Sequence, residues 1–406
     1  MKPWVKVILG LFLGSIFGLV TQQVFPYLES FGQVFIDLLK MGVGLIVFSS
    51  VVTGICHISC PQKLKRIGFR SVLFFVITTF IAILNSLWIT SIINPGVGLN
   101  LSTKQLTQSV KTSLLDHFIQ LLPKNPFAAL SEGNIIQVMI FATLFACALL
   151  SIKEKGKPVL EFFESLQEVM IRLTQFIMRL APYASFALMA TSAGSLGLNA
   201  MKKLAIYLLC NYAACALQLL VVFPSILFFL ARVNPLHFYR SMQEAVLCAF
   251  STCSSSATLP ISLNCVRNHL GVPKEIAGFV MSIGSTINMN GAAAGQICCA
   301  LFISQAYGIP LDFGSLLLLI VFTFLSAVGA AGIPGASIMM MSIILHALGL
   351  PLEGILLVAG VDRLREMLST IVNVLGDAVA AVYVANKELS STQDSMDITK
   401  QTLSQA

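Results

Sequence analysis

The sequence predicts an all-α polytopic membrane protein, and three observations point there. The chain is 56% hydrophobic and 11% charged, with a mean hydropathy of +0.87; a typical soluble domain has roughly 25% charged residues. Uncharged runs recur along its length, and about 20 such residues cross a bilayer as a helix. The Lys and Arg residues gather in short loops beside those runs, where topology uses them. A β-barrel is excluded because its strands alternate apolar and polar residues. Topology also accounts for the net charge of +7, so no nucleic-acid partner is implied. Met1 to Val20 leads straight into an apolar run without a small-residue cleavage site, so no cleavable signal is read. The ten cysteines are scattered. Cys56 with Cys60, and Cys298 with Cys299, lack zinc-ligand spacing and read as small buried hydrophobes.

The first span is expected at about residues 4–24 and the second at about 32–56. Lys63, Lys65, Arg66 and Arg70 follow, placing that loop and the N-terminus in the cytoplasm. A third span, about 70–93, ends at Asn94-Pro95-Gly96, and a polar stretch lies outside. The fourth, about 134–151, ends at the basic run Lys153, Lys155 and Lys157. The fifth starts amphipathic, with Arg172 and Arg179, and passes Ala181-Pro182-Tyr183 to about 195. The sixth is the uncharged block Leu204 to Ala231.

After Arg240 the pattern changes. The run Ala245 to Val266 is long enough to span, yet its centre is Ser251-Thr252-Cys253-Ser254-Ser255-Ser256-Ala257-Thr258-Leu259-Pro260. Both flanks are basic, which predicts a re-entrant hairpin with a polar tip at mid-membrane. Irregular backbone at that depth needs protein or water around it. Ile276 to Leu311 is uncharged and too long for one upright span; Thr286-Ile287-Asn288-Met289-Asn290-Gly291 at its centre predicts an unwound helix. Phe313 to Leu352 holds Gly329 to Ala336, rich in glycine and closed by Pro334, which predicts a second hairpin entered from outside. Two hairpins of opposite entry, each followed by a polar-interrupted helix, are the pattern of an inverted-repeat secondary transporter.

The last apolar stretch, Val361 to Tyr383, carries Asp362, Arg363, Arg365, Glu366 and Asp377. Intramembrane ionisable groups are costly and mark substrate or ion paths. Asp362, Glu366, Ser369, Asn373 and Asp377 step by four, three, four and four residues, so they line one helix face. Asp362 and Asp377 lie about 22 Å apart along the axis, too far to share one membrane interface. Helix ends at hairpin tips offer N–H groups to a carboxylate, and carboxylates with unwound carbonyls suit a hard cation. The tail from Lys387 is polar and expected to be disordered.

The motifs Ser254 to Pro260 (SSSATLP), Thr286 to Gly291 (TINMNG), Ala330 to Ala336 (AAGIPGA) and Asn373 to Ala378 (NVLGDA) resemble, in order, those of the dicarboxylate/amino acid:cation symporters. That family includes glutamate transporters and neutral amino-acid exchangers. The resemblance covers nearly the whole chain. It implies a glutamate-transporter-like fold with eight transmembrane helices and two re-entrant hairpins, assembled as a homotrimer in a bacterial inner membrane with both termini cytoplasmic. It divides the chain into scaffold helices (1–70 and 134–198), a transport-domain helix (71–93), an extracellular loop (94–133), a transport core (199–386) and a cytoplasmic tail (387–406).

By the same resemblance, the substrate would lie against Ser254, Ser255, Ser256, Ile333, Pro334, Gly335, Ser369, Thr370 and Asn373, with Ser255 and the amides around Ile333 holding its carboxylate with help from Asn373. Glu366 would bind the amino group, where the family has an aspartate. Sodium would be held by Asn288, Asn373, Asp377 and carbonyls near Gly284; by carbonyls near Thr286 and Met289; and by Thr78, Thr79 and Asn290. No cofactor is implied beyond the coupling ion, sodium or a proton. Asn290 replaces an aspartate, Ala292 a threonine, Ser369 an arginine that clasps acidic side chains, and Cys253 another arginine found in some members. These departures favour a neutral amino acid over glutamate, aspartate or a dicarboxylate. Arg365 is expected to pair with Asp362, pointing away from the stripe; swung inward, it would restore an acidic substrate. An intramembrane serine protease would need a base near Ser254 to Ser256, and none is placed there. The histidines His57, His117, His237, His269 and His346 sit at membrane ends or on apolar faces and carry no catalytic reading. A channel filter would repeat around an axis, whereas these motifs converge within one chain.

Overall fold

The computed structural model describes residues 3–23, 25–57, 62–99, 101, 125–131, 135–329, 332 and 335–404. Among these, all regular structure is helical. Helices α1 (Pro3–Thr21), α2 (Pro26–Met41), α3 (Val43–His57) and α4 (Gln62–Ile93) come first, then the short α5 (Pro126–Ser131) and α6 (Ile135–Ser151). The amphipathic α7 (Lys157–Ile177) leads through a 3₁₀ turn, Met178–Leu180, into α8 (Ala181–Leu217). Two π-helical turns, Gln218–Val222 and Ile226–Leu230, prolong α8. Next are α9 (Pro235–Ser241), α10 (Gln243–Thr252), α11 (Ser255–Asn268), α12 (Lys274–Ile287) and α13 (Asn290–Ala306). The chain closes with α14 (Phe313–Gly329), α15 (Ala336–Ala347) and the long α16 (Gly354–Ser404).

Among the described residues, four helices have the length and hydropathy to cross a membrane: Arg66–Ile93, Gly197–Leu230, Lys274–Ala306 and Gly354–Glu388. Shorter apolar helices, Val5–Thr21, Ile140–Ser151, Phe313–Ala327 and Ser337–Ala347, accompany them. The expected second span is two helices, because Gly42 makes a turn between α2 and α3. The expected fifth and sixth spans are one run kinked at Gly197, whose φ of 67° is open to glycine at little cost. The tail differs from expectation as well. Instead of ending near Lys387, α16 continues through Ser404; no glycine or proline follows Gly376 to stop it. The polar stretch at 102–124 and His117 within it lie outside the described residues.

α16 is the centre of the fold, packing against α4, α8, α10, α11, α12 and α13. Its apolar face, from Val372 to Ala385, is buried with Phe74, Phe223 and Val280. At its far end Glu388 is buried and ion-paired with Arg66 and with Arg70, the latter at 2.6 Å. That pair of arginines ties the start of α4 to α16.

Candidate substrate and cation site

Two interruptions of helix meet beside α16. The first lies between α10 and α11, where Cys253 takes a left-handed conformation (φ 52°) and Ser254 is extended. Ser254 then caps α11, its Oγ accepting from the Ala257 N–H at 3.1 Å, as serine does at helix starts. Pro260 inside α11 has no N–H to return to the Ser256 carbonyl four residues back. The second interruption lies between α14 and α15. Gly335 occupies the left-handed region (φ 81°) that opens α15, which explains a glycine there.

The two tips hydrogen-bond each other. Ser254 Oγ donates to the Gly332 carbonyl at 2.7 Å, and the Ser256 N–H donates to the same oxygen at 3.1 Å. Ser255 Oγ donates to the Ser285 carbonyl at 3.0 Å. A Cβ on Gly332 would collide with Ser255 Oγ, Ser256 Oγ and the Ser285 carbonyl, so glycine sets how closely the tips approach. The Gly335 N–H donates to Glu366 Oε1 at 2.7 Å. A carboxylate of the chain itself therefore sits at the N-terminus of α15, where an anion is favoured. Ile333 and Pro334, also expected at this tip, lie outside the described residues.

Glu366 Oε2 accepts no hydrogen bond and faces Arg363 Nη1 at 3.8 Å. Arg363 Nη2 in turn donates to the Thr252 carbonyl at 3.1 Å, the free C-terminal end of α10. Arg365 Nε donates to Asp362 Oδ1 at 2.7 Å, the pairing expected three residues apart. Arg365 is also buried, 2% exposed, with its Nη1 against Gly295 of α13. Glycine there leaves room for the guanidinium. Arg365 Nη1 and Nη2, Arg363 Nε and Nη1, Tyr207 Oη and Asn211 Nδ2 are all buried and make no hydrogen bond. Tyr207 is within electrostatic reach of Arg365. One helical turn on, Ser369 packs on Gly291, its Oγ 4.0 Å from Cys215 Sγ of α8. Tyr207, Asn211 and Cys215, four residues apart, thus present one α8 face to α16. Unbonded donors therefore line the stretch from Arg365 to Ser369, beside the carboxylates of Asp362 and Glu366.

The cation candidates gather further along α16. α12 and α13 are separated by Asn288 and Met289, both non-helical. Asn288 Nδ2 donates to Asp377 Oδ1 at 2.8 Å, while Asn288 Oδ1 is buried without a donor. Gly284 lies against the Asp377 carboxylate, where a Cβ would not fit. Asn373 Oδ1 accepts from the Gly291 N–H at 2.8 Å, and its Nδ2 reaches Met289 Sδ at 3.3 Å. Thr79 Oγ1 donates to Asn290 Oδ1 at 2.6 Å, leaving Asn290 Nδ2 buried and unbonded. A buried carboxylate beside an unspent amide oxygen is a donor set for a small hard cation.

Not every expected residue turns toward the site. The hydroxyls of Thr78 and Thr370 donate to carbonyls of their own helices, Phe74 and Glu366 respectively. Conversely, Ser285, Gly295, Tyr207 and Asn211 line the site although sequence reasoning passed over them, whereas Gly332 lies in the glycine-rich stretch read as a tip. Of those four, only Gly295, a glycine just past an alanine run, left a trace in the sequence. A hollow of about 30 Å³ lies between Gly335, Asp362, Arg363 and Glu366. At roughly 30 Å³ per water it has room for about one and not for an amino acid.

Comparison with known proteins identifies the family. A model of the sodium:dicarboxylate symporter family matches residues 4–387. The chain is 34% identical over 396 residues to the proton/sodium-glutamate symport protein of Bacillus subtilis, covering 94% of this chain and 92% of the relative. It is 33% identical to the protein of the same name from Geobacillus stearothermophilus, covering 94% of each. It is 30% identical over 393 residues to the C4-dicarboxylate transport protein of B. subtilis, covering 95% of this chain and 93% of the relative. These relatives are named transport proteins, in line with the expectation that the chain is not an enzyme, and none is named for a neutral amino acid, so that expectation is without support. The chain belongs to the sodium:dicarboxylate symporter family of membrane transporters.

Proposed function

We propose that the protein is a cation-coupled symporter that imports an acidic amino acid or a C4-dicarboxylate. The observation that carries this reading is the set of buried, unbonded donors at Arg365, Tyr207 and Asn211. An unmatched buried donor costs about 1–3 kcal/mol, so such a set calls for an acceptor. A substrate carboxylate is the natural one, and a guanidinium fork binds it in two-point fashion. The neutral amino acid favoured by Ser369, Cys253 and Ala292 would leave these donors unmet. The relatives' names, glutamate and C4-dicarboxylate, point the same way.

In this reading the second carboxylate of the substrate displaces Glu366 from the Gly335 N–H at the α15 tip. The tip must open first, since the hollow beside it holds only water. Glu366 then faces the substrate amino group or, for a dicarboxylate, pairs with Arg363. Sodium at Asp377 and Asn288 holds the α12–α13 break beneath the tips; a proton is the alternative coupling ion. The remaining expectations, a homotrimer whose core 71–93 and 199–386 moves as an elevator against a scaffold, belong to this proposal too.

The test is uptake of labelled glutamate, aspartate, succinate, serine and alanine into proteoliposomes, with sodium and proton gradients imposed separately. Gradient-driven uptake of an acidic substrate, not displaced by excess serine or alanine, is expected. Displacement by the neutral amino acids alone would overturn the proposal.

A further inference from the structure

We propose that the groove between α1, α2 and the start of α8 binds an anionic phospholipid. The cavity there measures about 540 Å³, within the roughly 300–1,000 Å³ of small-molecule sites. Leu9 and Leu13 of α1, Leu28 and Phe31 of α2 and Phe186 of α8 make its walls apolar. Lys6 and Arg179 also line it, and among the described residues no carboxylate does.

Register explains why those cations stand together. Gly10, Gly14 and Gly18 of α1 lie against Pro182, Phe186 and Ala190 of α8 in turn. The two helices therefore run parallel at a constant offset, which brings Lys6 level with residues 178–179. Arg179 sits in the 3₁₀ turn before α8, its guanidinium 5.0 Å from the centroid of the Phe176 ring. Tyr183, 67% exposed, lines the same end, the amphipathic aromatic expected at a membrane interface. Both cations are exposed, and each has an apolar stem that follows the groove while the charge reaches the headgroup layer.

Polarity decides the occupant. At about 30 Å³ per water, the groove would take on the order of eighteen waters, with polar partners at one end only. A free phosphate would meet the cations and leave the apolar length empty. A phospholipid satisfies both: its phosphate on Lys6 and Arg179, where the arginine fork suits it, and an acyl chain along Leu9, Leu13 and Phe31. Basic pockets between membrane helices recognise anionic headgroups in this way. If the N-terminus is cytoplasmic, as the basic loops predict, the lipid belongs to the inner leaflet.

The test uses the purified full-length protein, delipidated and titrated with phosphatidylglycerol or phosphatidylcholine of matched acyl chains, with adducts counted by native mass spectrometry. At least a tenfold preference for phosphatidylglycerol is expected, saturating at one lipid per chain. The Lys6→Ala/Arg179→Ala double variant should lose that preference. Leu9→Trp, which fills the groove without touching the charges, should reduce both lipids. Equal retention of the two lipids, an undiminished preference in the double variant, or displacement of phosphatidylglycerol by millimolar inorganic phosphate alone would overturn the proposal. A photoreactive residue in place of Leu9 should label lipid. Labelling of a second copy of the chain instead would assign the groove to a chain–chain interface and overturn it as well.

Discussion

The proposed function gives Asp377 and Arg365 opposite tasks on one helix, and each has its own test. Asp377 is 2% exposed, with Asn288 Nδ2 as its hydrogen-bond donor. Asp377→Asn keeps the shape and removes the charge that would compensate a buried cation. Losing one partner of a buried charge pair costs about 3–5 kcal/mol, so cation affinity should fall by more than about a hundredfold. Titrating sodium against the initial uptake rate checks this; unchanged sodium dependence would refute the ligand assignment. For Arg365 the informative change is Arg365→Lys. Lysine still offers a charge to Asp362 but lacks the planar fork. Affinity for an acidic substrate should drop at least about tenfold with the Asp362 pair and the fold retained, read by competition uptake alongside thermal unfolding. The acidic seam was legible from spacing alone, because a four-residue step keeps side chains on one face. The burial of Arg365 was not, since it depends on Gly295 of a helix distant in sequence, and only tertiary packing brings that gap opposite the guanidinium.

At the scale of elements, the tips between α10 and α11 and between α14 and α15 are hydrogen-bonded to each other. Gly332 is held by Ser254 and Ser256, and Gly335 by Glu366. Gly335→Ala places a side chain in a left-handed conformation, which costs roughly 1–2 kcal/mol. If the closed tip is the form that retains substrate, the apparent KM should rise about five- to thirtyfold with little change in maximal rate. Uptake kinetics decide it, and an unchanged KM would mean that the tip does not gate binding. The tips were readable because hydroxyl, glycine and proline clusters cannot continue a helix facing lipid. The α12–α13 break was readable because Asn288 and Asn290 sit inside an otherwise uncharged run. The division of the expected second span at Gly42 was missed, since a single glycine within an apolar run is compatible with either a continuous helix or a turn. The helical tail past Lys387 was missed because polarity was taken for disorder, although no breaker residue follows Gly376.

For the whole molecule, the number of coupled cations is a matter of how many buried positive charges the core can compensate. Asp377 is the carboxylate of the cation cluster, and Asn290 stands where resemblance expects a second. Asn290 brings no charge to a cation: its oxygen accepts from Thr79 Oγ1 at 2.6 Å, and its unbonded Nδ2 is buried beside it. An uncompensated ion there would have to be dehydrated without a counter-charge, which is prohibitive at that depth. Fewer than three sodium ions per substrate should therefore be coupled. Reversal potentials in vesicles, measured at varied sodium and substrate gradients, report that stoichiometry directly, and three sodium ions would refute the assignment. Asn290→Asp supplies the missing charge with almost no change in volume and turns the unbonded amide donor into an acceptor, while Oδ1 keeps its hydrogen bond from Thr79. In that variant the sodium stoichiometry should rise by one, and a steeper sodium dependence of uptake should accompany it. If the stoichiometry stays fixed while the protein folds and transports, the charge at this position does not set the coupling, and the count must be fixed elsewhere along α16.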